Sequence, residues 1–200
     1  MLLCGLSTEH AGWRIHFETT KDLGKSRRRI GPINDASKSN AIQPTVLTHS
    51  DGRLQVLCRT RASVIAQSWF RRCGKTWSPL SASNLPNPSA GIAAVTLKNG
   101  RHLLVYNHTI RRGPCPRGRE MLNVVVTDDG ENWKTALMLE NQKGEHSYPV
   151  VIQTVDGLVR ITYTYLRRKV KHVVVDPAKL KLVDIRQGQW PGLVRSTSPD

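Results

Sequence analysis

The chain is predicted to be an all-β protein, a β-propeller of four-stranded antiparallel blades, about three and a half of them in its 200 residues. Three observations predict this. A turn motif, clearest as VVVTDDGENW around Asp128, recurs in weakened form as TKDLGKSR (Thr20 to Arg27) and FRRCGKTW (Phe70 to Trp77). Alternating apolar runs flank Asp51-Gly52, Asn99-Gly100 and Asp156-Gly157. Both series step by about 50 residues, the length of one four-stranded unit, and helical periodicity is nearly absent.

The apolar runs TVLTHSDGRLQVL, AAVTLKNGRHLLVY and VVIQTVDGLVRITY each centre on an Asn-Gly or Asp-Gly pair, a strong short-range hairpin signal. Aligned on Gly24, Gly74 and Gly130, the motif copies follow the frame S/T-x-D-x-G-x-T-W, with Asp22, Arg72 and Asp128 in the third position. An Asp there accepts backbone N–H bonds, the Gly takes positive φ and the Trp fills the gap beside the turn. These roles hold a fold together and touch no substrate.

A blade therefore reads as strand a, Asp-Gly turn, strand b, variable loop, strand c, motif turn, strand d. The second blade runs from about Pro44 to Ala82 and the third from about Gly91 to Glu140. The fourth has strands near 148–154, 158–166 and 169–175, a turn at Asp176-Pro177 and a further strand over 181–185. Only half a blade precedes these, Trp13–Glu18 and the motif with a strand over Arg28–Ile33. The expected organisation is a partial propeller domain over 11–185, the C-terminal portion of a larger ring, and a polar tail over 186–200.

The first residues are too short and too weakly apolar for a signal peptide, no run approaches a transmembrane helix, and localisation stays open. Cysteines at 4, 58, 73 and 115 show neither C-x-x-C spacing nor a disulfide framework, so no metal and no cofactor is expected. Cys58 is expected to pack as a small hydrophobe. Net charge of +15 allows polyanion binding, but the cations are spread over the loops of every blade, with no recognisable nucleic-acid module.

Strand direction sorts the loops. The Asp-Gly and motif turns share one face, the bottom. The b–c loops and blade-to-blade connections share the top, where Arg59, Arg61 and Arg119 are suited to clamping a carboxylate. Glycosidase chemistry also needs an acid and a nucleophile or base, and the top-face candidates are Asp35, Glu145 and Tyr148.

The motif repeats, with SNAIQPTVL, PNPSAGIAAVTLKNGRHLLVYN, GREMLNVVVTDDGENW and HSYPVVIQTVDGLVRITYTY, resemble the sialidase-like BNR/Asp-box proteins over roughly residues 11–182. The resemblance implies a six-bladed propeller related to exo-acting glycoside hydrolases on acidic or deoxy sugars. Such sialidases hold the substrate carboxylate with an Arg triad, use an Asp as acid/base and attack through a Tyr assisted by a Glu. The implied catalytic residues are Asp35, Glu145 and Tyr148, with Gln43, Arg59, Arg119 and His146 binding substrate, a glycan or acidic sugar. The chain departs from the family pattern at Ala93, where an acidic residue is favoured, at His146, where Tyr is favoured, and at Arg72 and Arg27 in the motif. Three readings follow: a sialidase-like hydrolase, a non-catalytic carbohydrate-binding or decayed propeller fragment, or polyanion binding by the basic surface.

Overall fold

The computed structural model describes residues 1–71, 76–113, 118–186 and 188–191, with Arg71 as backbone alone. Its strands are β1 (Leu2–Thr8), β2 (Arg14–Thr20), β3 (Arg28–Ile30), β4 (Ala41–Thr48), β5 (Leu54–Thr60), β6 (Val64–Arg71), β7 (Thr76–Trp77) and β8 (Ser81–Pro86). They continue as β9 (Ala93–Thr96), β10 (His102–Tyr106), β11 (Met121–Thr127), β12 (Lys134–Asn141), β13 (His146–Gln153), β14 (Val159–Tyr165), β15 (Lys169–Val175) and β16 (Val183–Asp184). A single 3₁₀ turn, Pro177–Lys179, is capped by the Asp176 side chain.

The strands form four antiparallel sheets arranged as propeller blades: β1-β2-β3, then β4-β5-β6-β7 with β8 also on β6, then β16-β12-β11-β10-β9, then β13-β14-β15. One hairpin device recurs in the last three. Gly52, Gly100 and Gly157 have φ of 80°, 85° and 84°, and the Asp51, Asn99 and Asp156 side chains accept the N–H of the residue after the glycine at 3.0, 3.1 and 3.1 Å. Each is a three-residue loop ending in a left-handed glycine, which pins the register of its hairpin.

Successive sheets pack face to face, so inner strands are buried on both sides. In β10, Leu104 and Tyr106 join the core shared with the second sheet, whereas Leu103 and Val105 join the core shared with the fourth. Ile15, Phe17, Val56 and Cys58 form the core between the first and second sheets. Trp77 of the second motif stacks on Phe17 at 4.4 Å, sealing that boundary.

The structure corrects several sequence expectations. In place of the expected half blade, Leu2–Thr8 pairs along its whole length with β2 and makes the first sheet three-stranded. β3 stops at Ile30, although beyond Gly31-Pro32 the Ile33 N–H still donates to the Ile15 carbonyl at 2.9 Å. The last strand, β16, pairs with β12 of the third sheet instead of extending the fourth. The expected polar tail places Trp190 in the core, edge-on to His108 at 5.4 Å. The rest of that tail, residues 187 and 192–200, lies outside the described residues, as do Arg72, Cys73, Gly74 and Cys115.

The third motif is shifted by one residue. Asp129, not Asp128, carries the turn: its carboxylate accepts from Glu131 N, Asn132 N and Thr127 Oγ1 at 2.8, 2.7 and 2.8 Å. Asp128 is exposed and pairs with Arg101 at 3.0 Å. In the first motif Asp22 plays the expected part, accepting from Ser26 N at 2.9 Å and Thr20 Oγ1 at 2.7 Å.

Candidate functional site

Two matched irregularities build the top face. In β4 the register slips between Ile42 and Thr45, and in β13 between Ser147 and Val150. Each slip contains an X-Pro pair, Gln43-Pro44 and Tyr148-Pro149, and the residue before the proline has positive φ, 53° at Gln43 and 52° at Tyr148. A proline cannot donate to a ladder, so the strand bulges there, and a bulge re-aims the neighbouring side chain. Left-handed backbone at a non-glycine residue is a strain that the surrounding packing must hold.

Both side chains turn toward Gly91, from the connection between the second and third blades. A Cβ on Gly91 would stand 3.2 Å from Tyr148 Cδ1 and 3.5 Å from Gln43 Oε1, so the glycine leaves room for both. Gln43 Oε1 accepts from Arg59 Nη1 at 3.1 Å. Arg119 lies against the Tyr148 ring, its guanidinium carbon 5.8 Å from the ring centroid. Arg119 Nη1 also donates to Glu145 Oε1 at 2.8 Å, and its Nη2 donates to the Ser89 carbonyl at 3.2 Å.

Glu145 is only 6% exposed and is held by Arg119, by Arg167 Nε at 2.7 Å and by Ser147 Oγ at 2.8 Å. Burial alone would raise its pKa, but the hydrogen bonds from Ser147, Arg119 and Arg167 outweigh it and leave the carboxyl below its ordinary value. Glu145 is therefore an anion that orients cations around it, not a proton donor.

Arg59, Arg61, Arg111 and Arg119 line one cleft with Trp13, Pro88 and Ser89, with a volume of about 270 Å³. Trp13 is a platform for two of them: the Arg61 and Arg59 guanidinium carbons lie 4.4 and 5.1 Å from its ring. Asn40 Oδ1 accepts the Trp13 N–H at 3.1 Å and Asn34 Nδ2 donates to the Trp13 carbonyl at 3.0 Å, which fixes this platform on the first blade. The Nε donors of Arg59 and Arg119 are buried without an acceptor among the described residues. Buried N–H donors of this kind are costly unless a ligand supplies the acceptor.

Gln43 and Arg59 are thus joined by a hydrogen bond, Arg119 contacts both Glu145 and Tyr148, and Gln43 and Tyr148 both flank Gly91. Asp35 and His146 are placed elsewhere. The Asp35 carboxylate caps its own turn, accepting from Ser37 N at 2.9 Å and Ser37 Oγ at 2.8 Å, and the backbone and side-chain bonds from Ser37 lower its pKa. His146 is fully buried, its ring packed on Tyr165 at 5.0 Å, and burial lowers its pKa. Sequence reasoning missed Trp13, Arg111 and the Ser147–Arg167 support of Glu145. The paired Gln-Pro and Tyr-Pro steps in equivalent inner strands were the available signal for the bulges. Among the described residues no group of three or more His, Cys, Asp or Glu side chains could hold a metal ion. No helix there is long and apolar enough to cross a membrane.

The fold resembles solved sialidases. An intramolecular trans-sialidase from Ruminococcus gnavus, in complex with oseltamivir carboxylate, superposes with a TM-score of 0.68 at 16% identity, over 90% of this chain and 41% of that one. A leech intramolecular trans-sialidase complexed with 2,7-anhydro-Neu5Ac gives 0.65 at 17% identity, over 92% and 29%. The NanB sialidase of Streptococcus pneumoniae gives 0.67 at 15%, over 90% and 30%. The chain thus spans well under half the length of these proteins. No curated protein matches it significantly. Residues 1–161 match the BNR repeat-like domain, and the chain belongs to that family, on a partial sialidase-like propeller.

Proposed function

We propose that the arginine-lined cleft binds the carboxylate of an acidic sugar at the end of a glycan, and that the protein is a sialidase-like glycoside hydrolase in which Tyr148 and Glu145 form the nucleophilic side. The supporting observation is the convergence of Arg59, Arg61, Arg111 and Arg119 on one cleft, with the Nε donors of Arg59 and Arg119 unanswered among the described residues. Guanidinium groups grip a carboxylate in paired, charge-assisted bonds, and a partly desolvated cleft strengthens them. Tyr148 stands at the Arg119 end of the cluster, where a bound carboxylate would hold the sugar's anomeric carbon beside the phenol. Glu145, anionic and next to Arg119, would stabilise positive charge developing on the sugar ring.

A second reading, binding without hydrolysis, is favoured by the position of Asp35, whose carboxylate caps an exposed turn. The test is turnover of a fluorogenic sialoside, with binding measured in parallel. Turnover lost in Tyr148→Phe and in Arg119→Ala supports the hydrolase. Saturable sialoside binding that Arg119→Ala removes, with no turnover, supports the binding module. Absence of both from folded protein overturns the acidic-sugar reading.

A further inference from the structure

A second cavity, about 400 Å³, opens beside the arginine cleft, where the segment Gly188–Trp190 returns over the third blade. Its wall includes Pro86 at the end of β8, Ile110, Met121 at the start of β11, and Trp190. His108 also faces it, but both ring nitrogens are committed, one to the Tyr106 hydroxyl and the other, Nε2, to the Gly188 carbonyl at 2.9 Å. That Nε2 must donate to the carbonyl, and burial, which lowers the His108 pKa, favours the neutral ring whose Nδ1 accepts from Tyr106. The cavity therefore offers a mainly apolar surface, with Arg112 and Glu120 as the charged residues of its lining, and its size lies in the range of small-ligand sites.

The two cavities share their dividing wall. Arg111 and Arg119 line the cleft, while their chain neighbours Arg112 and Glu120 line the second cavity, and Pro88 and Pro86 are divided in the same way. Consecutive residues are about 3.8 Å apart along the chain, so a single layer of residues separates the two spaces. An acidic sugar in the cleft would carry its anomeric substituent within reach of that layer.

We propose that this strap-covered cavity is a subsite for an apolar aglycone, an aromatic group joined to the acidic sugar. The ligand chemistry follows from the walls: Met121 is a polarizable, adaptable contact for a planar ring, and Trp190, Ile110 and Pro86 supply flat apolar surface. The sugar half of this assignment rests on the proposed acidic-sugar site, whereas the aromatic half stands on the cavity alone.

The test uses the full chain and separates the halves. Free 4-methylumbelliferone, which has no sugar, is titrated and followed by saturation-transfer NMR. The methyl and 4-methylumbelliferyl glycosides of N-acetylneuraminic acid are compared in the same way. The expected result is saturable binding of the free probe and at least tenfold tighter binding of the aryl glycoside than of the methyl glycoside. Ile110→Arg, at a half-exposed position that tolerates a long side chain, should abolish the free probe's binding and the aryl advantage without lowering the melting temperature. Failure of the free probe to saturate, or binding that survives Ile110→Arg in folded protein, overturns the subsite. Equal affinity for the two glycosides, with both bound, overturns its link to the sugar site. Free-probe binding that Ile110→Arg abolishes, with neither glycoside bound, supports the aromatic cavity and overturns the acidic-sugar reading instead.

Discussion

His102 Nε2 stands 3.2 Å from His49 Nδ1, across the boundary between the second and third blades. The chain of donors around them has one consistent direction. Thr48 N donates to Thr96 Oγ1, whose hydroxyl lies 3.0 Å from His102 Nδ1, and His49 Nε2 lies 3.2 Å from Gln55 Oε1. Gln55 spends its amide on Gln67 and on the Gly130 carbonyl, so its oxygen accepts from His49 Nε2, and with both imidazoles neutral His49 Nδ1 accepts from His102 Nε2 and His102 Nδ1 accepts from the Thr96 hydroxyl. A proton on His49 Nδ1 would face the His102 Nε2–H, and one on His102 Nδ1 would displace the Thr96 hydroxyl proton. Burial and the neighbouring His49 push His102 down to about 4, despite the opposing Asp128 and Asp129 carboxylates. Burial also lowers His49, helped by Arg53 and opposed by the Gln55 bond, Asp51 and Asp129. Both values fall below that of the unfolded chain, so the unfolded state binds more protons between pH 6.5 and about 4. Stability is therefore full above pH 6.5 and is lost as pH falls through this window. Thermal melts should show that loss. His102→Gln should be less stable at pH 7, by about 1 kcal/mol for the broken chain, yet flatter from pH 6.5 to 4.

The one-residue shift in the third motif makes a paired prediction. Asp129→Ala removes the acceptor of two backbone N–H groups and should cost about 1–2 kcal/mol, as a lost helix cap does. Asp128→Ala breaks an exposed pair with Arg101 and should cost less than about 0.5 kcal/mol. Urea midpoints for the two variants decide between the registers.

Removing Arg119 leaves the Glu145 carboxylate buried with fewer partners. Arg119→Ala should lose about 3 kcal/mol of stability. Arg119→Ala/Glu145→Gln should lose less than the sum of its parts, because the second change removes the stranded charge. Since the Glu145 pKa is lowered on folding, its stabilising contribution is present above the unfolded carboxyl value and disappears as pH falls through the folded one. Chemical denaturation of the double-mutant cycle at pH 7 measures the coupling.

Gly91→Ala tests the convergence of the two bulges. Its Cβ would press on Tyr148 Cδ1 at 3.2 Å, and the Gly91 backbone is not left-handed, so the cost falls on the neighbouring side chains. Stability should change by about 1 kcal/mol or less, while affinity for an acidic glycoside should fall at least tenfold. Calorimetric titration beside a melting curve separates the two effects.

The reactivity of the thiols follows from burial. Desolvation raises the Cys58 pKa well above that of a free thiol, whereas Cys4 is exposed. Iodoacetamide under native conditions should label Cys4 and spare Cys58 until denaturant is added, as peptide mass spectrometry would show.

Much of this architecture was legible because its chemistry is local. The Asp51-Gly52, Asn99-Gly100 and Asp156-Gly157 turns need only the residues within them, and alternation around each sets the strands. The third motif misled because Thr127-Asp128-Asp129-Gly130 offers two carboxylates, and alignment on the glycine chooses the wrong one. The partner of β16 is some 50 residues away, and nothing in its two residues names that partner. At the site, strand direction alone put Gln43, Arg59, Arg119, Glu145 and Tyr148 on one face. Their mutual contacts depend on two bulges and on the packing of blades, as does the place of Trp13 under Arg59 and Arg61. Asp35 shares that face by topology, but its carboxylate is spent on the turn that follows it.

The return of Val183–Asp184 to the third sheet has a consequence for solubility. β12 would otherwise present unpaired N–H and C=O groups at a sheet margin, an invitation to pairing between molecules. β16 occupies that margin for two residues only, and Lys134 faces Asp184 there at 3.5 Å. A short charged edge is a poor template for another strand, so this segment acts as a guard against intermolecular β-pairing.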